Sequence, residues 1–141
     1  MNEGARNEGV MTVRRFDIDL AGFDSKIEAV CVECGADLIV VVGGGTRYHC
    51  GTVALTISMP SIKDPKKLTN STYQVPVPGH KEEALAREGS LILSRALARN
   101  VVMSVGIHVD NIPKESIPYF VDQFYKLVEQ IRAAYRVAGN G

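Results

Sequence analysis

The chain of 141 residues lacks any excess of charge: Lys plus Arg and Asp plus Glu each number 16, so the formal net charge is zero. Without a basic field, nothing draws it to counterion-coated nucleic acid or to an anionic membrane. It also lacks a run of about 18 apolar residues and a positively charged start leading into an apolar stretch, which argues against a helical membrane span and a signal peptide. Three cysteines are too few, and odd in number, for a disulfide framework. With 45% hydrophobic residues the chain can build a core without staples, so the thiols read as free in a reducing compartment. The expectation is a cytoplasmic protein with no nucleic-acid or membrane partner.

Several chemical signatures are missing as well. There is no GxGxxG, no Walker Gly-Lys-Ser/Thr and no Gly-x-Ser-x-Gly, which disfavours a dinucleotide fold, a P-loop and a serine hydrolase. The histidines show neither His-x-His nor His-x-x-x-His spacing, so no metal site is assigned. Cys31-Val32-Glu33-Cys34 is a CxxC, but it runs through a strand into a turn instead of opening a helix, and only Cys50 is left to complete a zinc knuckle. We read these cysteines as structural and assign no catalytic residue.

What is present is an orderly succession of elements. Residues 1–11 are polar and aperiodic, a flexible N-terminal arm, and 12–141 form a single α+β domain. Phe16, Ile18 and Leu20 alternate with charged residues, the period of a strand with one buried face. Ile27–Glu33 and Leu38–Val42, separated by Cys34-Gly35-Ala36-Asp37, read as a hairpin with a short turn. Gly43-Gly44-Gly45 then opens a loop, and Thr52–Met59 alternates again. Pro60–Asn70 is a surface loop, and Thr72–Val77, ended by prolines, is an edge strand. From Lys81 the period becomes helical through Ala84, Leu85, Ile92, Ala96 and Leu97, with Gly89 permitting close packing. Val101–Val109 is continuously apolar, the pattern of a central strand. The last helix carries Ile117, Phe120, Val121, Phe124, Val128, Ile131 and Tyr135 on one stripe, with Ser116 as its cap and Pro118 in its first turn. The fold class is α+β: a mostly antiparallel mixed sheet of five to six strands with two helices on one face. The uncovered face favours a homo-oligomer.

All three histidines stand near a glycine where an apolar run gives out. Imidazole binds metal, carries protons or hydrogen-bonds phosphate near neutral pH, so the three could serve one pocket. His49 lies between the glycine loop, with Gly44 and Gly45, and Gly51; consecutive glycine amides can cradle an anion, or the loop is simply a flexible turn. His80 and Lys81 precede the first helix, whose N-terminus suits a phosphate; alternatively His80 caps the helix and Lys81 is solvated. His108 ends the central strand, and Asp110 and Asn111 follow, where Asp110 can orient an imidazole or the pair can form a helix-entry turn.

These motifs, Gly-Gly before His49-x-Gly51, Pro-Gly-His80-Lys81 before a helix and Gly-Ile-His108-Val-Asp110-Asn111-Ile at a strand end, resemble the prenylated-flavin chaperone family (LpdD-like), which includes the small accessory proteins of gallate-type decarboxylase systems. The resemblance covers roughly Thr12 to Ile131 and departs from the family pattern at Tyr48, Cys50 and Pro113. It implies a non-enzymatic accessory protein that binds prenylated FMN, or FMN, and assists its delivery to a UbiD-like aromatic acid decarboxylase after a flavin prenyltransferase has made it. His80 and Lys81, joined by the Gly43–Gly45 amides, would take the phosphate, and His49, His108, Asp110 and Asn111 would address the ribityl chain or ring edge. The competing readings are a small histidine-based, metal-dependent enzyme using the same pocket, and a structural component of a decarboxylase complex.

Overall fold

Alternating burial along the N-terminal third builds a three-stranded meander, and its computed structural model describes residues 8–76 and 83–136. Strand β1 (Met11–Leu20) pairs with β2 (Ser25–Cys34), which turns through Gly35-Ala36 into β3 (Asp37–Gly45). A second hairpin joins β4 (Thr52–Pro60) to β5 (Leu68–Pro76). Helix α1 (Glu83–Leu97) then returns the chain to β6 (Val101–His108), and a 3-10 turn (Lys114–Ser116) leads into α2 (Ile117–Tyr135).

The strand order is β1-β2-β3-β6-β4-β5, with β3 and β6 parallel and every other neighbouring pair antiparallel. The apolar run 101–109 therefore does supply the inner strand, paired on both edges, and β5 is an edge strand. Both helices cover one face: α1 lies over β4, β5 and β6, and α2 over β1 and β2. Between them and the sheet sit the fully buried Val40, Val42, Met103, Val105, Leu93, Phe124 and Ile131. Gly89 allows the close packing foreseen for it, since a Cβ there would meet the Met103 sulfur at 2.6 Å. Cys31 and Cys34, three residues apart in a strand, fall on opposite faces, Cys31 buried and Cys34 exposed.

One end of the core closes on an ion pair. Arg99, 5% exposed in its side chain, donates to Glu33 Oε2 at 2.6 Å and stacks over the Tyr135 ring at 5.7 Å. Burial raises the Glu33 carboxyl, but the hydrogen bonds from Arg99 and Thr12 outweigh it and hold the group below its ordinary range. Between α1 and the β4–β5 edge the contacts are hydroxyls: Thr56 Oγ1 bonds both Thr72 and Ser90 at 2.8 Å.

Three local expectations need correction. The glycine triplet is the end of β3 and not a loop, because β2 and β6 both continue alongside it. Strand β5 begins at Leu68, inside the segment read as loop, because residues 68–70 pair with 58–60 of β4. Ser116 holds the N-cap position of α2 but its hydroxyl makes no capping bond, since the preceding 3-10 turn already places it in helical backbone.

Candidate functional site

Because β6 is inserted between β3 and β4, the connection between those two strands, residues 46–51, has to cross over β6. The crossing point is Gly106, where a Cβ would collide with the His49 carbonyl. Gly43 is the register partner of Gly106, and a Cβ on it would meet the Tyr48 ring at 2.7 Å. The two glycines thus make a flat floor on which Tyr48 and His49 lie. Tyr48 donates its hydroxyl to Glu28 Oε2 at 2.5 Å. That bond holds the Glu28 carboxyl below its ordinary range, while burial and the adjoining carboxylate push the Tyr48 phenol up to about 12. Gly51 donates to the Val105 carbonyl at 3.0 Å and so starts the pairing of β4 with β6.

The glycines expected to cradle an anion belong to the sheet and not to a free loop. Gly43 and Gly44 lie inside the ladder between β2 and β6, and Gly45 pairs with His108. The Thr46 and Arg47 amides both donate to the His108 carbonyl, at 2.7 and 3.3 Å.

The ends of β3 and β6 gather a polar cluster. His108 Nε2 lies 3.0 Å from Asp110 Oδ1, the Asp110 amide donates to Thr46 Oγ1 at 3.2 Å, and the Arg47 guanidinium stands 4.0 Å from the same carboxylate. The hydrogen bond with His108 holds the Asp110 carboxyl below its ordinary value, with help from Arg47 and Thr46. Asp110 thus contacts the imidazole as anticipated, while Asn111 takes positive φ (56°) and stays exposed at the turn. Thr46 and Arg47 were missed by sequence reasoning. They stand more than sixty residues before Asp110, and only the parallel β3–β6 pairing brings them together.

Two cavities flank this junction, on opposite faces of the sheet. One, of about 460 Å³, lies between the first turn of α1, the end of β6 and the start of α2; Leu85, Ile107, His108, Ile112, Ile117, Phe120 and Tyr125 line it. Burial raises the Tyr125 phenol above its ordinary value. The other, of about 440 Å³, opens on the helix-free face and is lined by Arg15, Glu28, Val41, Tyr48, His49, Cys50 and Ser104. A larger depression of about 650 Å³ is a groove along the outside of α2, at Ile18, Asp122, Tyr125 and Lys126, away from the histidines. His49 and His108 therefore serve different cavities, contrary to the expected single pocket: the crossover carries His49 to the helix-free face. His80 and Lys81 lie outside the described residues. Among the described residues no three His, Cys, Asp or Glu side chains gather as a metal site, and no helix is long and apolar enough to cross a membrane.

Residues 22–136 match the family described as "prenylated flavin chaperone LpdD-like domain". The chain is 28% identical over 102 residues to protein LpdD of Lactiplantibacillus plantarum, a match covering 72% of this chain and 70% of that protein. Its fold is similar to a chain in the crystal structure of a chaperone complex for yeast 20S proteasome assembly, with a TM-score of 0.57 and 12% identity, over 89% of this chain and 98% of that one.

Proposed function

The chain belongs to the LpdD-like prenylated flavin chaperone family, a membership that rests on a match across well over half its length, and from that premise we propose that it carries prenylated FMN, or FMN, in the cavity beside His108. The observation that carries this reading is the cavity itself. Its volume of about 460 Å³ falls within the range of cofactor pockets, and its walls are aliphatic and aromatic except for His108 and Tyr125. Apolar walls suit a fused ring system, and His108, half-exposed at the rim and bonded to Asp110, and Tyr125 are the polar groups this cavity offers to its edge. His80 and Lys81 are proposed as phosphate contacts. The bound group would supply the flavin chemistry itself. This chain would hold it and surrender it to a UbiD-like aromatic acid decarboxylase, receiving it from a flavin prenyltransferase.

The test is a titration of the purified protein with FMN and with prenylated FMN, followed by flavin absorbance and fluorescence. Binding should appear by tens of micromolar, weaken about tenfold in His108→Ala, the loss of one good hydrogen bond, and vanish in Ile117→Arg, which fills the cavity mouth from a half-exposed position. Absence of binding would overturn the carrier reading. Weakening by His49→Ala but not by His108→Ala would move the seat to the other cavity.

A further inference from the structure

The helix-free face of the sheet does not alternate as a wetted face should. Across it, Val13, Val32, Ile39, Val102, Leu55 and Tyr73 stand in one register row, one residue from each strand. The next row reads Arg15, Val30, Val41, Ser104, Val53 and Val75. The crossover loop reaches this face at Ser104, but no helix of the described residues lies on it, and its apolar residues are half-buried or exposed: Val13 is 59% exposed, Val41 51%, Tyr73 61% and Val75 68%. An antiparallel sheet that leaves one face in water normally carries polar residues there. A continuous apolar patch of this extent marks an interface.

We propose that this face is where a second copy of the chain docks, sheet against sheet, about a two-fold axis. Two observations favour a second copy over an unlike partner. The first is area: six strands about 4.8 Å apart and about nine residues long present roughly 800 Å², which is about what each side of a stable interface buries. The second is charge. The charged corner of the face is balanced within the chain, with Lys26 4.0 Å from Asp17 and 3.7 Å from Glu28, so it offers no field of one sign to select an oppositely charged partner. The whole chain has zero net charge and does not repel itself. A two-fold contact needs only that identical surfaces suit each other, and an apolar, locally neutral sheet face does.

Docking would also roof the cavity that holds Tyr48, His49 and Cys50, since Val41 and Ser104 belong to both that cavity and the patch. Cys50 is exposed in the single chain, its sulfur 3.3 Å from the Ser104 hydroxyl. It would be shielded in the pair. The flavin seat lies on the other face, so this proposal and the carrier reading fail independently.

The experiment is mass determination by light scattering and sedimentation on the full chain over a wide concentration range, with and without Val41→Glu and Leu55→Glu. The wild-type protein should run at twice the 15.3 kDa chain mass. Each variant should raise the dissociation constant by more than about 100-fold, because the two-fold buries the new carboxylate twice without a partner. Circular dichroism should show both variants folded. Ile62→Glu, in a fully exposed loop outside the patch, should leave the pair intact. Peptide-resolved alkylation should find Cys50 protected in the wild type and reactive in Val41→Glu. A monomer at hundreds of micromolar, or a dimer indifferent to both patch variants, would overturn the proposal. So would a face that gains a partner only when an unlike protein is added.

Discussion

The two faces of the sheet have nearly the same apolar content but different fates. Facing the helices, Val40 and Val42 are sealed beneath α1 and α2; facing away, their strand neighbour Val41 is half exposed. The helix face holds the core and, at its rim, the cavity beside His108. The open face holds the crossover loop on its glycine floor and an apolar expanse. Hydrophobicity along a strand therefore does not say which face the monomer buries. It says only that both faces are apolar, and the helices cover one.

The largest effect should come from the buried end of the helix face. Arg99→Ala removes a buried guanidinium from between the half-buried Glu33 carboxylate and the Tyr135 ring, and urea unfolding should register a loss of about 3–4 kcal/mol. The same pair gives the protein an acid-sensitive term. The folded Glu33 carboxyl titrates below its ordinary value, so its stabilisation is complete above about pH 4.5 and drains away as pH falls through the lowered folded value. Glu33→Gln should flatten this part of the pH–stability curve; an unchanged slope would show the pair to be inert. Next comes the floor of the open face. Gly106→Ala pushes a methyl group into the His49 carbonyl and should cost about 3 kcal/mol, with Tyr48 and His49 displaced in backbone NMR shifts while the helix-face signals stay put. The smallest contrast is within one strand. Val40→Ala should cost about 2 kcal/mol at any protein concentration. Val41→Ala should cost less than about 0.5 kcal/mol in dilute solution, rising with concentration as the paired state is populated.

Much of this was legible in the residues. Period-two alternation located β1 and β4, the apolar run 101–109 identified the inner strand, and the 3.6-residue stripe located α2, because each is a local pattern whose physical cause, one face or two faces buried, acts within a few residues. The His108–Asp110 contact was also within reach, being two residues apart on a strand end. The glycine triplet was misread because consecutive glycines signal flexibility only when nothing pairs with them, and here β2 and β6 do. The Leu68–Asn70 start of β5 was hidden by its polar composition, which an edge strand tolerates.

By itself, then, the sequence determined the class of the fold, the strand that would lie at its centre and the family resemblance, all matters of local periodicity and short motif. Only the tertiary structure decided that β6 slides between β3 and β4. That insertion forces the β3–β4 connection across Gly106, sets Thr46 and Arg47 beside Asp110, and carries His49 away from the cavity of His108. The reason is physical: pairing between strands more than forty residues apart is settled by how the whole apolar surface can be covered, and no neighbouring residues encode it.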